Sequence, residues 1–387
     1  MRPFSALFAL ALSLFISCKQ QYRTIDVHET DFQNKSELLI KGVPVKTDLP
    51  LYIYGMICCD SLNIVMAQDD RGYVFVYSSD WELLDVFSGK GRARYEFIER
   101  PRLISNQVLK GDDGHLLLPL QDQECIKVLD ITESLRTHKA TISHIRDFNP
   151  IDVTEFESSV TGRKSMIVLG FGYLLLDNDI NHTLEVTHGF TIQDVEGTAQ
   201  YRIRHDSTFI DKPWMLTSME KIAGPQPDDK FWRPFFKHPQ RNLIIEPFEY
   251  LNYIMFYDLD NDNAFAIHQS GSLTFDDDLP QPREYEDEEG FIHAANETDR
   301  CFENVAVADS CFITIYLNGE YSLSDENWEY PRPEVVIFDW EGNFINSAKL
   351  DTFIDCVAFD QKKKILYGVP HSDDVEIILS YDLSPLF

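Results

Sequence analysis

Hydrophobic residues come in short runs along most of the chain, and polar or turn-forming residues separate these runs. The runs at 74–77, 126–129 and 335–338 are typical, since each is about four residues long, mostly apolar, and closely followed by an aspartate. Such runs favour β-strands, and the Asp, Asn and Gly residues between them suit tight hairpins. No long amphipathic helical pattern separates the hairpins. The sequence therefore predicts antiparallel sheets rather than parallel sheets with crossover helices.

One pattern occurs six times: an apolar run that often contains Tyr or Phe, then an aspartate, then a turn. The six aspartates are Asp80, Asp130, Asp177, Asp258, Asp339 and Asp382. The first two spacings and the last one lie near the ~40–50 residues of a four-stranded propeller blade. The sequence therefore predicts an all-β fold, a β-propeller with six four-stranded blades, and seven or eight blades are the alternative.

The two middle spacings are nearly twice as long, which indicates insertions near 195–235 and 271–300. The first insertion contains Trp214, Phe231 and Trp232, which are candidates for contact with a partner because aromatic side chains anchor proteins and stack on sugars. The same side chains could instead only seal the insertion onto the blades. The second insertion is acidic and is interpreted as a solvated surface that could meet a basic partner.

A propeller must also join its last blade to its first. After Asp382 only five residues remain, too few for a full outer strand. Residues 36–43 can supply that strand. We therefore expect an N-terminal strand to close the propeller and to protect the sheet edges.

The N-terminal region predicts export. Residues 1–17 contain one basic residue, Arg2, and then an uncharged, mostly apolar run that is too short to span a bilayer. The run ends at Cys18, and residues 15–18 resemble the lipobox of bacterial lipoproteins, which implies a lipid on Cys18. Residues 18–36 are polar and are interpreted as a tether, with a single propeller domain over 37–387. No later stretch is predicted to cross a membrane.

Charge limits the choice of partner. The chain of 387 residues has 34 Lys and Arg against 64 Asp and Glu, a formal net charge of −30. Such a surface repels nucleic acid and anionic lipid, so we expect no nucleic-acid partner and membrane contact only through the N-terminal lipid. Most of the remaining six cysteines lie in apolar runs, which favours buried thiols over a disulfide framework.

The segment at 87–97 resembles a feature of the TolB-like six-bladed β-propeller lipoproteins of Bacteroidetes. Relatives often carry Gly-x-Gly-Pro-x-Glu-Phe here, and this sequence keeps Gly91, Glu96 and Phe97 but has Ala93 and Arg94 at the Gly and Pro positions. The resemblance covers residues 37 to 387 and includes the lipid-type signal. It implies the fold and a lipid anchor in the bacterial cell envelope, with the outer membrane as the expected site. It implies no general activity.

Two motifs resemble sites of known chemistry. The loop at 89–94 is rich in Gly, Lys and Arg, but it lacks Walker spacing and is interpreted as a turn between blades. Asp258, Asp260 and Asp262 alternate like the start of a calcium loop, although Asn263 and Gln269 stand where that loop needs Gly and Glu. A hairpin is the preferred interpretation, and calcium is the alternative to having no cofactor. No catalytic residue is predicted.

The sequence favours a non-catalytic binding or scaffold propeller in the cell envelope. Its partner would be an envelope protein, a peptide or a glycan. The alternatives are a glycan- or peptide-capturing accessory protein of a nutrient-uptake system, and a metal-dependent propeller hydrolase or lyase. Fold alone does not decide between them.

Overall fold

The computed structural model describes most of the chain in segments. These are residues 22–50, 52–59, 61–103, 108–110, 113–122, 125–147, 166–169, 173–176, 184–187, 191–194, 197–205, 208–210, 236–241, 243–248, 251–258, 263–273, 283–286, 292–295, 299–320, 333–370 and 377–387.

Three N-terminal strands come first, followed by the first blade, an antiparallel four-stranded sheet whose strands are consecutive in the chain. The N-terminal strands are β1 (Tyr22–Thr30), β2 (Leu39–Ile40) and β3 (Val43–Pro44). The first blade consists of β4 (Ile53–Cys59), β5 (Leu62–Asp69), β6 (Gly72–Ser78) and β7 (Leu83–Phe87).

The second blade contains a short helix, and the third is the start of a larger sheet. The second blade consists of β8 (Arg102–Leu103), β9 (Leu109–Lys110), β10 (Leu116–Asp122), β11 (Cys125–Asp130), the helix α1 (Ile131–Thr137) and β12 (Ile142–Asp147). The third region consists of β13 (Met166–Leu169), β14 (Tyr173–Leu176), β15 (Leu184–Thr187), β16 (Thr191–Asp194), β17 (Gly197–His205) and β18 (Thr208–Ile210).

The last three blades repeat the antiparallel order, with one separate hairpin after the fourth. The fourth blade consists of β19 (Phe236–Lys237), β20 (Leu243–Pro247), β21 (Tyr253–Asp258) and β22 (Asn263–Gln269), and the hairpin is β23 (Arg283–Glu286) and β24 (Ile292–Ala295). The fifth blade consists of β25 (Asp299–Val307), β26 (Cys311–Glu320), β27 (Glu334–Asp339) and β28 (Phe344–Leu350). The sixth consists of β29 (Ile354–Asp360), β30 (Ile365–Pro370) and β31 (Leu379–Asp382), followed by a 3₁₀ turn at Ser384–Leu386.

Apolar clusters join neighbouring blades. Separate clusters lie between the first and second, the fourth and fifth, the fifth and sixth, and the sixth and first blades. The first strands β25, β29 and β4 contact one another in that order, which places them on the inside of the propeller. These sheets confirm the predicted all-β propeller of four-stranded blades.

The repeated aspartates end the third strand of a blade, or follow it in the first. Asp339 Oδ1 accepts hydrogen bonds from the backbone N–H groups of Glu341 and Asn343 at 3.0 and 2.8 Å. Asp382 Oδ1 accepts from Ser384 N at 2.9 Å. Each carboxylate thus satisfies backbone donors that the turn leaves without strand partners, which is why aspartate suits this position.

Asp130 likewise binds a backbone N–H group, here at the start of a helix. Its Oδ1 accepts from Glu133 N at 2.8 Å and caps α1. Asp177 lies outside the described residues.

The residues interpreted as a tether form part of the propeller. β1 pairs in parallel with β17 on one side and with β22 on the other. Phe32, just beyond β1, is fully buried. The prediction of a tether over 18–36 is therefore wrong for residues 22–36. The strands that pair with β1 are far away in the chain, so the local polarity of residues 22–36 does not reveal this pairing.

The N-terminal segment continues along the outside of two further blades. β2 pairs with β28 of the fifth blade, and β3 pairs with β31 of the sixth, with Val43 opposite Ser380. The fourth strand of the last blade is therefore N-terminal, as expected. We call residues 22–44 the N-terminal belt, because they cover the outer strands of the fourth, fifth and sixth blades in turn.

Both predicted insertions contain strands. β17 and β18 lie in the first, and the isolated hairpin of β23 and β24 lies in the second, which ends as β25 begins at Asp299.

Cys58, Cys311 and Cys356 are free thiols. Burial raises the pKa of Cys311 to about 11 and that of Cys356 to about 12. None of the described helices is long and apolar enough to cross a bilayer.

Candidate binding site at the propeller axis

A cavity of about 180 Å³ opens where the turns between first and second strands converge. Five blades contribute to it, the second and fourth with one residue each. This convergence places the cavity at the end of the central axis, and we call it the axial cavity. Its lining residues are Cys58, Cys59, Leu62, Asn63, Ser79, Val108, Pro239, Val307, Ala308, Asp309, Phe359, Asp360, Gln361 and Lys362.

Local hydrogen bonds fix the turns that line the cavity. Asp360 Oδ1 accepts from the backbone N–H groups of Lys362 and Lys363, each at 3.0 Å, which holds the turn between β29 and β30. Buried Trp340 donates its indole N–H to Ala308 O at 3.0 Å and so fixes the turn between β25 and β26. The cavity walls are therefore held in place by internal hydrogen bonds and need no ligand to order them.

A chain of polar side chains links three blades at this face. Gln361 of the sixth blade donates from Nε2 to Asp309 Oδ2 at 2.9 Å and accepts from Asp309 N at 3.0 Å. Asp309 Oδ1 in turn accepts from Gln240 Nε2 of the fourth blade at 3.3 Å. These bonds position a carboxylate at the rim of the cavity. On the wall formed by the first blade, Asn63 is buried and donates to Ser78 O at 3.0 Å.

The Cys58 thiol at the cavity wall is held protonated. Its pKa lies well above the ordinary value, mainly because of burial, and the nearby carboxylate of Asp360 raises it further. A thiolate is the reactive form of cysteine, and the raised pKa keeps the Cys58 thiol in its neutral, less reactive form. The cavity thus combines an apolar wall with amide and carboxylate groups at its rim, an arrangement suited to recognition.

Most residues singled out in the sequence lie outside the described residues. This applies to Cys18, Trp214, Phe231, Trp232, Asp260 and Asp262. Asp258 lies at the end of β21, half-buried, and pairs with Asn263 at the start of β22. The predicted hairpin is therefore confirmed. Within the described ranges, no three or more His, Cys, Asp or Glu side chains form a group that could hold a metal ion.

The segment at 87–97 connects the first and second blades, as predicted. Gly91 N donates to Phe97 O at 2.8 Å, and Glu96 Oε2 accepts from Ala93 N at 2.9 Å, so the segment folds back on itself. Phe97 is fully buried, with the ammonium of Lys127 5.0 Å from its ring centroid. Lys127 also pairs with buried Asp122 at 2.7 Å. The glutamate and phenylalanine of the motif therefore have structural roles.

Sequence reasoning missed the axial residues. Asn63, Asp309 and Gln361 belong to no motif, and they meet only because separate blades bring their turns to one axis. Once the blades are assigned, these residues can be recognised by their position at or next to the turns between first and second strands.

The four-stranded sheets and the apolar clusters between them define a propeller. The family model described as TolB-like 6-blade propeller-like matches residues 140–362, more than half of the chain, and the chain belongs to this family. No curated protein matches the sequence.

Three solved structures illustrate the likeness. A member of the DUF4221 family from Bacteroides vulgatus has a TM-score of 0.42 at 8% identity, covering 89% of this chain and 96% of that one. A putative exported protein from Bacteroides fragilis has a TM-score of 0.41 at 9% identity, covering 92% and 98%. Virginiamycin B lyase from Staphylococcus aureus has a TM-score of 0.37 at 6% identity, covering 89% and 99%. These similarities carry no inference about function.

Proposed function

We propose that this protein is a lipoprotein of the bacterial cell envelope, anchored at the outer membrane through Cys18, whose propeller works by non-catalytic binding. The partner is an envelope protein, a peptide or a glycan, and the binding involves no cofactor. The anchor is supported by the apolar run that ends at Cys18, and the propeller fold by family membership.

The axial cavity is the observation that carries the binding role. Its wall contains a thiol whose pKa is raised by burial, and its rim carries Asp309 and Gln361, already fixed by hydrogen bonds to each other. Prepositioned amide and carboxylate groups beside apolar wall residues can recognise a polar group on a partner with little loss of side-chain entropy.

Blocking the cavity tests the binding role. Val108 is a half-buried lining residue, so Val108→Trp would place an indole at the opening. We expect this variant to lose the partners that the wild-type protein captures from envelope extracts after crosslinking. The control is Leu84→Trp on the exposed outer strand of the first blade. Equal capture by wild type and Val108→Trp, with normal circular dichroism, would exclude the axial cavity as the contact.

The anchor is tested by Cys18→Ala. We expect this variant to move from the membrane fraction to soluble or unprocessed forms, because two or more acyl chains hold a protein stably on a bilayer. Mass spectrometry of the wild-type N-terminus is the direct measurement. An unacylated Cys18 together with unchanged membrane retention would contradict the proposal.

A second candidate is a glycan- or peptide-capturing accessory role in nutrient uptake. It is favoured by Trp214, Phe231 and Trp232 in one insertion, since aromatic rings stack on sugars. Replacing all three with alanine should abolish retention on a glycan or peptide array and leave capture through the axial cavity intact. Retention that survives the triple replacement would exclude this role for the insertion.

A further inference from the structure

The axial cavity has the size of a site for one side chain. Its volume of about 180 Å³ is below the ~300–1,000 Å³ of pockets that enclose a whole drug-sized molecule. Leu62, Val108 and Val307 give it apolar walls, and Phe359 adds a buried ring. A long side chain with an apolar stem fits such walls, and the polar groups of the cavity decide what its tip must carry.

The cavity contains two carboxylates that are bound to neutral donors. Asp309 accepts hydrogen bonds from the side-chain amides of Gln240 and Gln361 at 3.3 and 2.9 Å. Among the described residues, Asp360 accepts only from backbone N–H groups of its own turn, and neither carboxylate forms an ion pair. Lys362 is the only basic residue among the described lining residues, so two acidic groups stand against one basic group.

The next basic residue along the chain is engaged elsewhere. The ammonium of Lys363 donates to Asp80 Oδ1 at 2.9 Å and to Ser79 O at 2.6 Å. These bonds hold it at the seam between the sixth and first blades, away from the Asp360 carboxylate. The formal net charge of −30 adds a long-range attraction for cations. The charges around the cavity therefore favour a cationic ligand.

Asn63 presents a third acceptor, independent of the carboxylates. Its side chain lines the cavity and is only 3% exposed. Nδ2 donates to Ser78 O at 3.0 Å, whereas Oδ1 accepts no hydrogen bond from any described residue. This oxygen is open to the cavity rather than sealed in the interior. It therefore calls for a ligand that brings a hydrogen-bond donor.

Asn63 and Asp360 lie around the same thiol. Asn63 is opposite Cys58 in the register of β4 and β5, and directly opposed residues place their side chains on one face of a sheet. The thiol of Cys58 has its pKa raised mainly by burial and also by the carboxylate of Asp360, which places that carboxylate nearby. The first and sixth blades thus bring an amide oxygen and a carboxylate together.

We propose that the axial cavity takes the side-chain ammonium of a lysine on a partner protein or peptide, with Asn63, Asp309 and Asp360 as acceptors. This inference rests on the proposed binding role of the cavity. A lysine has a four-carbon stem that packs against apolar walls, and its ammonium has three donors for acceptors on different blades. Charge attraction steers such a partner to the cavity and weakens as salt rises.

A pair of peptides tests the proposal by titration calorimetry on the full-length protein. The probe is a blocked glycine–lysine–glycine peptide. The comparison peptide has norleucine in place of lysine, which keeps the hydrocarbon stem and lacks the ammonium. We expect the lysine peptide to bind roughly 10- to 100-fold more tightly, the range for hydrogen bonds to a charged group. Salt at about 1 M should reduce this difference.

Asp360→Asn is the corresponding protein variant. It removes the charge and keeps an oxygen for the backbone N–H groups of the turn, so we expect unchanged circular dichroism and roughly tenfold weaker binding of the lysine peptide. The matched control is Asp339→Asn. Asp339 Oδ1 also accepts from two backbone N–H groups of its turn, and Asp339 is not among the described lining residues. We expect this control to bind the lysine peptide as the wild type does.

Val108→Trp separates this inference from the proposed function. If this variant loses its envelope partners but the wild type binds both peptides equally, or neither, the cavity is the contact and the lysine ligand is wrong. Binding of glucosamine without binding of the lysine peptide would indicate an amino sugar and overturn the proposal. If Val108→Trp keeps both its partners and the lysine peptide, the cavity itself is wrong as the contact. Unchanged lysine-peptide affinity in Asp360→Asn also contradicts the proposed recognition.

Discussion

The seam between the fourth and fifth blades differs from the seam between the sixth and first. In the former, the belt inserts Phe32 into the core, where its ring centroid lies 5.8, 5.5 and 5.3 Å from those of Phe302, Tyr316 and Phe338. Gln269 of the fourth blade fixes it, since its Oε1 accepts from Phe32 N at 2.9 Å. The belt is therefore part of the core at this seam.

The seam between the sixth and first blades, which we call the closing seam, has a core of its own. Buried Trp81 lies between Tyr77 of the first blade and Tyr367 of the sixth, with ring centroids 5.5 and 4.9 Å away. Here the belt adds only the two-residue strand β3 at the outer edge. One segment thus fills a core at one seam and covers an edge at another, so its removal should affect the two seams unequally.

Replacing the buried ring should have the largest effect. We expect Phe32→Ala to lower the free energy of unfolding by about 3–5 kcal/mol, because it leaves a cavity among aromatic rings. Denaturant titration measures the change, with exposed Tyr95→Ala as the control. A loss below about 1 kcal/mol would show that the belt does not support the seam.

The closing strand is tested at Gly42, just before β3. A Cβ here would lie 2.8 Å from the ring of Tyr381, which is fully buried, and 2.9 Å from Leu379. We expect Gly42→Ala to lower the free energy of unfolding by about 1–3 kcal/mol, because overpacking must displace the ring or the strand. Gly89→Ala is the matched control, since its Cβ would meet nothing within 4 Å. Equal effects of both substitutions would contradict a tight fit of the closing strand.

The seam that contains Phe32 also holds Glu334, which should make stability depend on pH. Burial raises the pKa of this carboxyl, while Lys349 and the backbone of Asn34 lower it less. A raised pKa means that this contribution to stability is full below the unfolded pKa and is lost as pH rises through the folded one. Glu334→Gln should therefore stabilise the protein at pH 7 and change little at pH 4. Exposed Glu341→Gln is the comparison, and a Glu334→Gln profile identical to wild type would refute the assignment.

An ion pair on the surface of the closing seam should contribute least to stability. Lys363 of the sixth blade donates to Asp80 Oδ1 of the first at 2.9 Å, and both side chains are solvent-accessible. We expect Lys363→Gln to lower the free energy of unfolding by about 0.5 kcal/mol, an effect absent at ~1 M salt. The comparison is Lys139→Gln. A loss as large as that of Phe32→Ala would mean that charge, not the aromatic core, holds this seam.

The blades could be predicted from the sequence because the same short pattern of apolar run and aspartate occurs in most of them. Strand runs ended by Asp130, Asp339 and Asp382 carry their own signal, since these carboxylates bond to backbone N–H groups only two to four residues ahead. The belt was not predictable in this way. β2 and β3 lie on outer edges and β1 pairs through its backbone on both sides, so these strands need backbone groups rather than an apolar face and a polar sequence serves. The axial cavity requires segments from five blades to meet, which no local pattern encodes.

The belt also has a consequence for the order in which the protein can fold. The hydroxyl of Ser380 donates to Val43 O across 337 positions of the chain, and Gln269 reaches Phe32 across 237. Synthesis proceeds from the N-terminus, so the belt emerges first, long before the blades that receive it. Contacts of such large sequence separation form slowly, so Phe32 stays exposed until the fourth and fifth blades have formed. The belt should therefore reach its native position only after the sixth blade has been synthesised.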